Sequence, residues 1–179
     1  MCGILGFITH RRFNELRQDL PLAASSLTHR GPDDSGLFFA SSDGVGLGHR
    51  RLSIIDLSSA GRQPMESDDG KLNIVYNGEV YNYLEIRAVL ETKGYTFETG
   101  SDTEVVLKAY IEYGHDCLNH FNGMFAIAIW DGNKKELFLA RDRLGIKPLY
   151  YLHNDDEFIF ASETKAILKG LNKKPGLNV

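Results

Sequence analysis

The chain has 179 residues, 42% hydrophobic and 25% charged, which fits one globular domain able to bury about 70% of its unfolded surface. A formal net charge of −4 gives no electrostatic reason to expect nucleic acid or an anionic membrane, and the longest wholly apolar stretch, Met124–Trp130, is far short of the roughly 20 residues of a membrane span. Two cysteines, Cys2 and Cys117, build no disulfide framework, and the apolar N-terminal run precedes Arg11 and Arg12, the reverse of a secretory signal, so a cytoplasmic setting is expected.

In chain order, Cys2–Thr9 reads as a buried strand, and Phe13–Leu27 has helical spacing at Leu16, Leu20, Ala23 and Leu27, with Pro21 as an interruption. Strands are expected around Gly36–Ala40 and Gly46–Asp56. "LNIVYNGE" is a further strand that runs into a tight turn. "NYLE" at Asn82–Glu85 and "SDTE" at Ser101–Glu104 each carry a cap residue with Glu three places on, announcing two helices that Gly94 and Gly114 can end. After Phe121 a meander follows: "GMFAIAIWD", "ELFLARD", "PLYYLH" and "EFIFASE", then a short helix over Glu163–Leu168 and an exit linker, "KKPGLNV". Strands in runs and helices in a pair predict an α+β fold with antiparallel sheet, and continuous apolar strands such as "FAIAIW" predict sheet buried on both faces.

Four places could carry chemistry. Removal of Met1 would leave the Cys2 thiol and an α-amine on one residue, so that the amine could take the thiol proton; a small core cysteine is the plainer alternative. In "YNGE", the Asn77 side-chain amide and the Gly78 N–H in a turn could form an oxyanion hole, although Asn-Gly is also a common hairpin signal. Arg50 and Arg51 share a strand and point to opposite faces, so one could enter a site and fork onto an α-carboxylate. Asp102, at a helix start, either caps that helix or pairs with a ligand ammonium. The "GVGLG" at Gly44–Gly48 leads into a strand rather than a helix, which argues against a phosphate loop. The six histidines have no zinc-ligand spacing, so no metal is expected.

Taken together, "MCGILGF", "HRGPDDSG", "GHRRLSIID", "YNGEVYN", "TGSDTEV" and "RDRLGIKPLYY" resemble the glutaminase domain of class II glutamine amidotransferases, most closely the asparagine synthetase branch. The resemblance implies an N-terminal-nucleophile hydrolase fold, a four-layer αββα sandwich with two mainly antiparallel sheets. It implies that Cys2 attacks the side-chain amide of L-glutamine with its own α-amine as base, that Asn77 and Gly78 form the oxyanion hole, and that Arg51 holds the substrate α-carboxylate. Asp102 would hold the α-ammonium with Glu79 assisting, and the backbone near Leu52 and Ile54 would border the pocket.

The same resemblance divides the chain into a glutaminase domain over residues 1–170 and a linker over 171–179. It implies a synthetase domain, in cis or trans, that contacts Arg141–Pro148 and uses ATP and Mg to amidate aspartate; no pyrophosphate loop for them occurs in these residues, so no cofactor is expected here. A homodimer is compatible with this reading. Other readings stay open: ammonia supplied to a different carboxylate, a cysteine–histidine pair of Cys2 with His29 or His49, and a non-catalytic interaction module that keeps the fold.

Overall fold

The computed structural model describes residues 1–53 and 61–169. Nine strands and four helices run in the order β1 (Gly3–Thr9), α1 (Phe13–Ser25), β2 (Asp34–Ala40), β3 (Val45–Arg51), β4 (Met65–Glu66), β5 (Leu72–Val80), α2 (Tyr83–Thr92), α3 (Asp102–Tyr113), β6 (Gly123–Asp131), β7 (Glu136–Arg141), β8 (Tyr150–His153), β9 (Glu157–Ala161) and α4 (Thr164–Lys169) among the described residues. They form two antiparallel sheets, one of order β2-β3-β1-β9-β8 and one of order β4-β5-β6-β7.

Side-chain alternation builds the layers. On β1, Leu5 and Phe7 face α1 and α4, packing with Leu16, Leu20, Ala23 and Ile167, while Ile4 and Ile8 face the other sheet. On β6, Phe125, Ile127 and Ile129 pack under α2 and α3 with Ile86, Leu90, Val106 and Tyr110. The intervening Ala126, Ala128 and Trp130 meet Val45, Leu47 and Phe160 between the sheets. Each central strand is therefore apolar on both faces, and the order is helices, sheet, sheet, helices: the expected αββα sandwich.

Three local expectations change. Asn77 and Gly78 lie inside β5, opposite Ala126 and Phe125, and not in a turn at its end. The Asn82 side chain does not cap α2; it bridges the His120 carbonyl and the Asn122 amide instead. β3 ends at Arg51, with Leu52 and Ser53 outside it, and the rest of the expected strand, to Asp56, lies outside the described residues. Ser101 does cap α3, accepting from the Thr103 amide at 3.1 Å, whereas Glu104 turns back to the Glu98 and Thr99 amides. Pro21 sits within α1 without ending it. Residues 171–179, read as a linker, and Ile54 lie outside the described residues.

Candidate active site

Cys2 immediately precedes β1, and the pairing of Gly3 with Arg50 sets it beside the end of β3. Its Sγ lies 3.4 Å from the Leu52 amide, which donates to it, and 3.7 Å from the Leu52 carbonyl, which its thiol can reach as donor. The "HRGPD" segment braces both. Arg30 Nε donates to the Cys2 carbonyl at 2.9 Å, and the Asp33 carboxylate accepts from the Ser53 amide at 2.8 Å. Gly31 passes so close to β3 that a Cβ there would meet the Arg50 carbonyl at 2.4 Å, so no side chain fits. Cys117 is a contrast: it is fully buried, and burial pushes its thiol up to about 12, which removes it as a nucleophile.

The edge of β5 faces this thiol across a cavity of about 250 Å³, lined by Cys2, Asn77, Gly78 and Asp102 among others. Strand pairing dictates which amides point there. Tyr81 and Asn122 are hydrogen-bonded partners across the strands, so odd-numbered residues of β5 exchange bonds with β6 and even-numbered ones turn the other way. Of the even residues, the Tyr76 amide donates to Gln63 Oε1 at 2.6 Å and the Val80 amide to Asp102 Oδ2 at 3.2 Å. The Gly78 amide between them has no acceptor among the described residues. Asn77 Nδ2 is likewise buried without a partner among the described residues. Two unmade donors at one spot is an unusual cost in a folded protein, and it suits an acceptor that arrives with a ligand. Gly78 is also sterically required: a Cβ would stand 2.5 Å from the Met124 carbonyl and 2.9 Å from the Phe125 Cα.

Across the cavity, α3 begins with Asp102, buried and bonded through Oδ2 to the Tyr76 hydroxyl at 2.8 Å as well as to Val80. Burial raises the Asp102 carboxyl above its ordinary range, with the charge of Glu79 adding to that, against the hydrogen bonds of Tyr76, Val80 and the Thr103 amide. Burial and the Asp102 charge raise the Tyr76 phenol well above its usual value, so it stays a donor. Gln63 ties the two sides together, since its Nε2 donates to Thr103 Oγ1 at 3.1 Å.

Arg51 is buried and lines the same cavity, while Arg50 turns away to the Gly31 carbonyl, as expected of neighbours on a strand. Glu79 borders it from the exposed side. Sequence reasoning missed Gln63, Tyr76 and Lys147. The last comes from "RDRLGIKP", read as interface alone; that segment instead has two sides. Asp142 gathers the Phe125, Ile146 and Lys147 amides, which hold its carboxyl below the usual range although burial opposes this. Arg141 clamps the Gly145 and Lys147 carbonyls. Lys147 thereby turns into the cavity wall, whereas Leu144 is 85% exposed and Ile146 54%. Only the density of charged residues in that loop could have signalled this.

Neither candidate histidine borders the cavity. His29 pairs with Glu163 at 2.9 Å, and His49 is fully buried against the Tyr76 carbonyl at 3.1 Å. Among the described residues no cluster of His, Cys, Asp and Glu could hold a metal ion, and no helix is long and apolar enough to cross a membrane.

The fold is an αββα sandwich in which Cys2, at the start of a central strand, meets Asn77 and Gly78 at one cavity. The match to known proteins gives its family. The glutamine amidotransferase domain family matches residues 1–179. Among curated relatives, asparagine synthetase 3 of Bacillus subtilis is 43% identical over 94% of this chain and 27% of its own length. Asparagine synthetase 1 of the same organism is 43% identical over 96% and 27%. Amidase chry2 of Gibberella zeae is 40% identical over 94% and 26%. The fold is shared with glutamine phosphoribosylpyrophosphate amidotransferase of B. subtilis, at TM-score 0.70 and 23% identity over 93% of this chain and 43% of that one. The chain belongs to the class II glutamine amidotransferase family, near its asparagine synthetases. It spans about a quarter of the length of those synthetases.

Proposed function

We propose that residues 1–170 are a glutaminase domain that hydrolyses L-glutamine to glutamate and ammonia through a thioester on Cys2. As long as Met1 is attached, the Cys2 nitrogen is an amide and cannot act as a base; Met1 also lines the cavity. Its removal frees an α-amine on the same residue as the thiol, which can then act as the general base that takes the thiol proton during attack. The thiolate attacks the side-chain carbonyl carbon of glutamine. The resulting oxyanion is held by Asn77 Nδ2 and the Gly78 amide. The intermediate collapses, the α-ammonium returns a proton to the leaving ammonia, and a γ-glutamyl thioester remains. Water activated by the same amine then releases glutamate. Arg51 forks onto the substrate α-carboxylate, Asp102 and Glu79 hold its ammonium, and the Leu52 backbone borders the chain of the substrate.

The observation that carries this reading is the meeting, at one cavity, of the Cys2 thiol with two donors that have no partner among the described residues. Neither His29 nor His49 lines that cavity, which counts against a cysteine–histidine pair. Mature protein should show loss of Met1 by intact mass and should release glutamate, and Cys2→Ala should abolish that release. Turnover that persists in Cys2→Ala, or in protein that retains Met1, overturns the mechanism.

The length of the relatives supports a further assignment: ammonia passes to a synthetase domain, in cis or trans, that docks on the outer side of Arg141–Pro148 and amidates aspartate with ATP and Mg. The exposed Leu144 and Ile146 suit such a contact. The amidase relative favours one second reading, in which the same module feeds a different acceptor.

A further inference from the structure

We propose that Tyr76 is a positioning residue for glutamine capture, holding Asp102 in place as the anchor of the substrate ammonium. The proposal rests on the glutaminase reading and adds to it a residue outside the expected site. Tyr76 lies on β5 directly before the oxyanion pair, yet its side chain faces α3, on the opposite side of the strand from Asn77. It is buried, and three groups hold it. Its amide donates to Gln63, its carbonyl meets His49 Nε2, and its hydroxyl donates to Asp102 Oδ2 at 2.8 Å. With the Val80 amide on that same oxygen, the carboxylate is fixed by two donors from the strand that also carries Asn77 and Gly78. One strand therefore sets the spacing between the site of bond cleavage and the ammonium anchor. Gln63, bonded both to Tyr76 and to Thr103, closes the frame.

The hydroxyl has a second consequence, for charge. A protonated Asp102 cannot attract an ammonium, and its buried setting favours protonation. Tyr76, Val80 and Glu79 from β5 and Thr103 on its own helix act on it, and the groups that share its cavity are Ser101 just ahead of α3, Arg51 from β3, Lys147 from the β7–β8 connection, and Cys2 with Met1 ahead of β1. Of these, Tyr76 gives the only side-chain hydrogen bond to the carboxylate found among the described residues. Loss of that bond moves Asp102 protonation to higher pH, so glutamine binding should fail earlier on acidification.

The test measures glutamine binding by calorimetry in Cys2→Ala protein, where no turnover intervenes, across pH 5 to 8. Tyr76→Phe should weaken binding about tenfold at pH 7 and shift its acid limb upward. In an Asp102→Asn background the same change should do little. Insertion of 3-fluorotyrosine at position 76, which keeps the ring volume but makes a stronger donor, should shift the acid limb downward. Parental affinity and limb in both Tyr76 variants overturn the proposal, as does a tenfold loss that persists undiminished without the Asp102 charge. Absence of any glutamine binding by the Cys2→Ala protein overturns the glutaminase reading itself.

Discussion

Asn77 and Asp102 differ sharply in how the fold treats them. Both are buried polar groups, but Asp102 has its hydrogen bonds made while Asn77 Nδ2 has none among the described residues. A donor left unmade in the resting protein contributes once charge develops next to it. Asn77→Ala should therefore lower kcat by about 10²–10³-fold with a much smaller change in KM, read by steady-state glutamate release. A change confined to KM would contradict the oxyanion role. Cys2, Arg51, Asn77 and Asp102 were legible in the sequence as candidates, each open to a plainer reading until the resemblance joined them, and the fold brings all four to one cavity. Tyr76, Gln63 and Lys147 were not. An aromatic residue in an apolar strand and a lone glutamine before a proline read as ordinary, and only the fold brings them to the cavity.

At the scale of elements, apolar patterning located the long strands, by alternation where one face is buried and by continuous apolar runs such as "FAIAIW" where both are. Ends were less readable. The Asn-Gly pair signals a turn locally, but pairing with β6 overrides that preference and extends β5 to Val80. Asn82 likewise has a cap's chemistry but finds its partners, His120 and Asn122, at the end of the 3₁₀ segment Gly114–His120. β4 is only two residues long, too short for a periodicity to show. The same close pairing predicts the outcome of Gly78→Ala. Its Cβ would collide with the Met124 carbonyl and the Phe125 Cα, both backbone of the neighbouring strand. The variant should lose about 1–3 kcal/mol of stability by chemical denaturation and lose glutamate release even where it folds.

For the whole molecule, His49 joins the two sheets, reaching from β3 to the Tyr76 carbonyl of β5. Burial, assisted by the charge of Arg51 and opposed by that hydrogen bond, lowers its pKa to about 4, against about 6.5 in an unfolded chain. The unfolded state thus binds the proton more readily. Stability from this group is complete above about pH 6.5 and is lost as pH falls toward 4, by on the order of 3 kcal/mol. Denaturant midpoints measured from pH 7 to pH 4 should show that loss, and His49→Gln should flatten it. A slope unchanged in His49→Gln would assign it elsewhere. The four-layer order itself was legible, because strands apolar on both faces require cover on both sides. Which helix covers which sheet was not, since that depends on strand order.

The bare stretch of β5 beside Cys2 also limits what can dock there. A polypeptide adding itself to a sheet as a new strand needs a donor at every second residue of the edge it joins. Here the amides on either side of Gly78 are already engaged by Gln63 and Asp102, so the border has an opening one carbonyl wide. A lone amide can bring its oxygen to that opening, whereas an extended peptide finds no ladder to climb. The same two side chains that frame the pocket thereby deny this edge to an added strand.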